Sequence, residues 1–284
     1  MTTNPPPREK ITAPAIQAMK GSGNKIVMVT AYDYPTARAV EASGVESILV
    51  GDSLGMVVLG YESTIPVTME DIIHHTRAVM RGIDTVHVVA DLPFMSYQIS
   101  DAQALENAGR LMKEGGADAV KLEGGRAMAS RIEAIVSAGI PVMAHIGLTP
   151  QASAALGGFK VQGRSLEAAR NLIADAQAVE QAGAYAVVLE AIPRQLARII
   201  TSRLSIPTIG IGAGVECDGQ VLVNADLLGS YDRFTPRFAK PYASIRDVMR
   251  EAFSQFAAEV RAGEFPAQEH GFAMSREVIA ELEK

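Results

Sequence analysis

Eight short apolar runs punctuate this chain, at residues 25–30, 47–50, 86–91, 118–123, 141–146, 185–190, 207–212 and 220–223. They do not alternate apolar with polar, as strands with one wet face do. Continuous runs rich in Val, Ile and Leu belong to strands buried on both faces, which is the habit of parallel sheets. Helix-like segments lie between most of them: 35–42, 68–81, 101–113, 127–138, 165–181 and 192–204, most of them stopped by glycine. A barrel built this way takes about 250 residues, and the chain has 284. The repeat therefore predicts a single (β/α)8 (TIM) barrel over residues 12–265. A disordered arm is expected at 1–11, and an extension with a short charged helix at 266–284. The alternative is an open doubly wound sheet. The run Gly210-Ile211-Gly212-Ala213-Gly214 lacks the spacing and the later acid of a dinucleotide fingerprint.

Composition narrows the partners. The net charge is -6 and no dense Lys/Arg run occurs, which argues against nucleic acid or an anionic membrane. No apolar run reaches the roughly 18 residues that a membrane span requires. The polar, proline-rich start, Met1 to Lys10, has no apolar signal core, so a cytosolic location is expected. Cys217 is the single cysteine, and no intramolecular disulfide can form.

A weak internal repeat locates the chemistry. Residues 116–123 and 183–190 share the pattern Gly-Ala, two residues, then an apolar run ending in Glu123 or Glu190, and residues 44–52 are a looser copy ending in Asp52. With Asp91, these acids stand at C-terminal strand ends, the rim on which barrel enzymes carry their sites. Four carboxylates at one rim repel one another. Either each caps a helix or pairs with a base, or a cation compensates them; oxygen-only ligands from separate strands suit Mg²⁺.

Lys121 lies two residues before Glu123, so both side chains share one strand face. It offers a charge for an anionic substrate or a structural ion pair. His145, at the end of the fifth run, serves substrate or a carboxylate, or is a core histidine. His74 and His75 are adjacent on a helix, diverge, and receive no metal role. The turn Gly212-Ala213-Gly214 reads better as a tight strand exit than as a phosphate cradle. The long loops 54–67 and 147–164 are candidates to close over the site.

Several stretches also resemble one family, ketopantoate hydroxymethyltransferase: 50–56 with 63–68, 90–97, 120–125, 144–151, 206–214 and 217–220. The resemblance runs in order over roughly residues 10–265. It implies a barrel of the phosphoenolpyruvate mutase/isocitrate lyase superfamily, Mg²⁺, a 2-oxo acid substrate, and 5,10-methylenetetrahydrofolate as one-carbon donor. It implies that Asp52, Asp91 and Glu123 bind metal. Asp52, Ser53, Asp91 and Lys121 then meet the oxo acid, and Glu190 accepts a proton. A homo-oligomer, often a decamer, is implied too. The rival readings are a carbon–carbon lyase of the same superfamily, whose members generally carry a lid cysteine, and a non-catalytic barrel that binds small acids.

Overall fold

The computed structural model describes residues 9–284; residues 1–8 of the expected arm lie outside the described residues. The strands are β1 Ile26–Thr30, β2 Ser47–Val50, β3 His87–Asp91, β4 Ala119–Glu123, β5 Val142–Gly147, β6 Ala186–Glu190, β7 Thr208–Ile211 and β8 Gly219–Leu222. Each pairs in parallel with the next, and β8 pairs with β1, closing the barrel in chain order. The open-sheet alternative is thereby excluded.

The two-residue period of a strand sorts side chains into two separate apolar layers. Met28, Leu49, Val89, Ala119, Met143 and Val188 fill the barrel interior. Ile48, Val88, Val120, Leu122, Val187 and Leu189 face outward into the shell of helices. Each such buried aliphatic side chain contributes about 1.5–3 kcal/mol. On β4, Ala119 belongs to the inner layer, so Lys121 and Glu123 share its face one and two steps nearer the mouth.

Local sequence sets where helices start. The Asp33 carboxylate accepts from the Thr36 amide at 2.8 Å, opening helix Tyr34–Ser43. Thr68 and Asp71 form a reciprocal capping box at helix Met69–Met80. Helix Ala13–Ala18 lies under the barrel floor, burying Ala13 and Ile16. Just before it, Lys10 donates to the Val86 carbonyl at 2.8 Å and pairs with Asp118 at 2.7 Å, and the Ile11 amide donates to Thr85. Residues 10 and 11, assigned to a disordered arm by their polar surroundings, are thus tied to the barrel by an ion pair and backbone hydrogen bonds.

Three other segments differ from expectation. The loop after β2 opens with a helical turn, Leu54–Val57, and that after β5 holds Pro150–Ala152 and Ser153–Leu156. Helix 101–113 runs as Asp101–Arg110 and continues as a wider turn, Leu111–Gly115. Helix Ile245–Ala262 has no buried residue, and Phe253 and Phe256 on it are exposed. Among the described residues, no helix is long and apolar enough to cross a membrane.

Candidate active site

The C-terminal strand ends open onto a cavity of about 380 Å³, within the range of roughly 300–1,000 Å³ usual for small-molecule sites. Asp52, Ser53, Asp91, Lys121, Glu123, His145 and Glu190 all line it. A wider groove of about 620 Å³ runs along helix Ile245–Ala262, but its walls hold no acid.

The acids are held in a defined order. Gly51 lets the chain turn sharply out of β2: a Cβ there would stand 2.9 Å from Ser53 Oγ. The following Asp52 amide donates to Asp91 Oδ2 at 3.0 Å. Asp91 pairs with Lys121 Nζ at 3.0 Å, across the register that sets these two residues side by side. Lys121 Nζ lies 3.3 Å from His145 Nδ1, which is 3.5 Å from Glu123. His145 Nε2 is 3.2 Å from Glu190 Oε2. A chain of charged side chains therefore runs from β3 through β4 and β5 to β6, with Lys121 and His145 between the carboxylates of Asp91 and Glu190.

Burial dominates the electrostatics, and neighbours decide its outcome. Burial, then repulsion from Asp91 and Glu123, hold the Asp52 carboxyl well above its usual range. Asp91 is also raised by burial, against the pull of Lys121. Burial works against the Lys121 ammonium, but Asp91, Glu123 and Asp52 outweigh it and keep the lysine charged. For His145, burial and Lys121 push down while Glu123 and Glu190 push up, and the result is a pKa raised to about 9. Burial alone would raise Glu123, but His145 and Lys121 leave it lowered.

This wall fits a hard divalent cation. Its donors are carboxylate oxygens, gathered from separate strand ends onto one cavity. The four acids Asp52, Asp91, Glu123 and Glu190, set against Lys121 and a protonated His145, leave a formal surplus of two negative charges. Among the described residues, no three acids, histidines or cysteines are placed so that together they could hold a metal ion. Mg²⁺ needs no such trio, since it takes one or two carboxylates and fills its shell with waters and ligand oxygens.

Residues 10–268 match the family described as ketopantoate hydroxymethyltransferase. The chain belongs to that family. The 3-methyl-2-oxobutanoate hydroxymethyltransferase of Moorella thermoacetica is 58% identical over 265 residues, spanning 93% of this chain and 98% of that protein. Its namesake in Enterococcus faecalis is 58% identical over 273 residues, spanning 96% and 99%. Among solved structures, 2,3-dimethylmalate lyase, a PEP mutase/isocitrate lyase superfamily member, superposes with a TM-score of 0.58 at 15% identity, covering 94% of this chain and 92% of that one. That likeness shows the fold. The protein is a hydroxymethyltransferase on a barrel of the same fold.

In this hydroxymethyltransferase, several site residues escaped sequence reasoning. Gln151 is the chief one. Its side-chain amide donates to Asp52 Oδ2 at 2.8 Å and to the Leu92 carbonyl at 3.0 Å, and its backbone amide donates to Glu123 Oε2 at 3.0 Å. The Tyr97 hydroxyl donates to Gln151 Oε1 at 2.7 Å. One buried glutamine thus orients two acids of the wall. The Tyr32 hydroxyl lies 2.8 Å from Ser53 Oγ and fixes that side chain.

The irregular segment after β8 supplies another wall of the cavity through Tyr231, Phe234 and Phe238. Phe238 covers Gly212, where a Cβ would come within 2.7 Å of the ring, and Arg194 covers Gly214. The Gly212-Ala213-Gly214 turn is therefore a strand exit, with no room left for a phosphate. Its aromatic cover carried no periodic signal; the three aromatics around Pro236 at 231–238 were the hint. Loop 54–67 folds back on itself, with Val67 packed against Gly55, and reaches the cavity through Met56, Val57 and Thr64. Loop 147–164 reaches it through Leu148, Pro150, Phe159 and Val161. Cys217 is fully buried and does not line the cavity, which removes the lid cysteine that the lyase reading needs.

Proposed function

We propose that this enzyme transfers a hydroxymethyl group from 5,10-methylenetetrahydrofolate to 3-methyl-2-oxobutanoate, giving ketopantoate, with Glu190 removing the C3 proton of the oxo acid. The observation that carries this reading is the placement of Glu190 on β6, opposite Asp52 at the end of β2 in a ring of eight strands, with both lining one cavity. Asp52, Asp91 and Glu123 would hold Mg²⁺, directly or through water, and the cation would supply Lewis-acid polarisation of the oxo acid.

The chain's own residues do the rest. Ser53, steadied by Tyr32, donates to the substrate carboxylate. Lys121 holds its charge beside Asp91 and faces the negative charge that develops on the keto oxygen as C3 loses its proton. Glu190 accepts that proton. Its position is fixed by its backbone: its carbonyl accepts from Leu148 at 2.9 Å, and the next residue, Ala191, is held at φ 46. His145 lies against the Glu190 carboxylate and steadies it before and after the transfer. The nucleophilic C3 carbon attacks the donor's methylene carbon as one of its two C–N bonds breaks; water then displaces the remaining folate nitrogen from that carbon, and with both nitrogens protonated the products are the hydroxymethyl compound and tetrahydrofolate.

Homo-oligomeric assembly, up to the decamer that the resemblance implies, belongs to the same proposal. Support comes from helix Ile245–Ala262, which buries no residue, and from Val27, 46% exposed on the outside of β1.

The test is deuterium exchange at C3 of 3-methyl-2-oxobutanoate in D2O, followed by NMR without folate. Exchange is expected with Mg²⁺ and lost on chelation. Folded protein that shows no cation-dependent exchange would contradict the enolising reading.

A further inference from the structure

Asp226 sits in the short helix Asn224–Leu228 that follows β8. Its backbone is pinned there, since the neighbouring Asn224 amide donates to Thr30 Oγ1 at 2.9 Å and the Asp226 amide donates to the Val223 carbonyl. The side chain is 8% exposed and lines the cavity. Its carboxylate has no hydrogen bond or ion pair with any described residue, and burial alone pushes its pKa up to about 6. Its oxygens open onto the cavity with no protein donor on them, and so are free to accept from the N–H groups of a ligand. Every other acid of this cavity has a protein partner: Asp52 has Gln151, Asp91 has Lys121, and Glu123 and Glu190 have His145.

The position matters as much as the solitude. In the closed ring, β8 stands opposite β4, which carries Lys121 and Glu123. The oxo acid held at the β2 to β4 wall leaves the β7 to β8 side for the second substrate. That side is walled by Phe234, Phe238 and Tyr231. Aromatic side chains accept a flat ring by stacking. The two oxygens of a carboxylate match two parallel N–H groups on the edge of such a ring. A pterin carries that edge, with its ring N–H and exocyclic amino group side by side.

We infer that Asp226 is the acceptor for the paired N–H edge of the donor's pterin ring, and so the residue that selects a folate on the β8 side of the cavity. This rests on the reading of a reduced folate as the one-carbon donor.

The test is equilibrium binding of tetrahydrofolate and of its 2-desamino analogue, measured with Mg²⁺ and 3-methyl-2-oxobutanoate present. The wild-type protein is expected to prefer tetrahydrofolate by at least about tenfold, the value of one lost charge-assisted hydrogen bond. Asp226→Asn is expected to shrink that preference to about twofold or less, because the amide offers one acceptor in place of two. Asp226→Ser repeats the comparison should the first variant not fold, as judged by its melting temperature. A variant that keeps the wild-type preference overturns the assignment of Asp226, as does a wild-type protein that binds both compounds equally. A wild-type protein that binds neither overturns the folate reading itself, and the assignment with it.

Discussion

His145 on β5 and His87 on β3 both point into the barrel, one at its mouth and one at its floor, and both are buried. His145 lies between Glu123 and Glu190 and is raised to about 9. His87 meets the Tyr185 hydroxyl at 2.9 Å, with Asp118 no nearer than 4.0 Å and that acid already paired with Lys10, and is lowered to about 4. Burial pushes both imidazoles towards neutrality; only the mouth supplies enough carboxylate to reverse it. The floor is closed by a neutral His87 on Tyr185, with the self-compensated Lys10–Asp118 pair beside it, whereas the mouth carries a surplus of negative charge that suits a cation and an acid–base reaction. Stability and chemistry are thus divided between the two ends of one barrel.

The sharpest way to break this contrast is to remove the mouth's lysine. Lys121→Met leaves Asp91 buried without its partner, and an uncompensated buried charge costs about 3–5 kcal/mol. The loss of charge stabilisation should lower kcat by ~10³-fold. Calorimetry with and without Mg²⁺ checks the first effect, and part of the lost stability should return with the cation.

Exchanging the histidines one at a time separates the two ends. His145→Gln is expected to lower kcat by ~10²-fold and also to lower the melting temperature at neutral pH, because an imidazole raised to about 9 by Glu123 and Glu190 stabilises the fold below that pH. His87→Gln should cost about 1–3 kcal/mol and leave turnover near wild type. The floor also has a pH signature. The folded-state pKa of His87 lies below the ordinary 6.5, so the unfolded chain binds the proton more tightly. Its contribution is complete above pH 6.5 and is lost as pH falls towards 4, by about 3 kcal/mol in all. Urea titrations across that window should show the loss in wild type and its absence in His87→Gln. A mouth histidine whose loss leaves turnover intact, or a floor histidine that governs turnover, would break the comparison.

Gln151→Met tests how the mouth keeps its shape. Removing the amide that holds the Asp52 carboxylate should weaken divalent binding by ~10-fold, readable by Mn²⁺ paramagnetic resonance. The smallest effect is expected at Ala191, where a side chain sits at φ 46. Ala191→Gly should stabilise the protein by about 1 kcal/mol while slowing turnover several-fold, since Glu190 loses its rigid neighbour.

The barrel was legible because burial on both strand faces leaves an unbroken apolar run, and each β/α unit writes its own stop signals. The rim acids were legible for the same reason: Asp52, Asp91, Glu123 and Glu190 interrupt or end those runs. Gln151 and Tyr97 were not, because their roles come from loops folding across the mouth. Gln151 lies 99 positions from Asp52, its hydrogen-bond partner. The wall at 231–238 was hidden for another reason: an irregular segment has no period, so nothing in its spacing says which way Phe234 and Phe238 point.

The central claim is that Glu190 takes the C3 proton across the cavity from the cation-binding wall. It is tested most directly by C3 deuterium exchange in Glu190→Gln, with Mg²⁺ and without folate, alongside calorimetric binding of 3-methyl-2-oxobutanoate. Exchange should fall by ~10²-fold or more while the variant still binds Mg²⁺ and the oxo acid. Exchange at the wild-type rate would show that another group is the base.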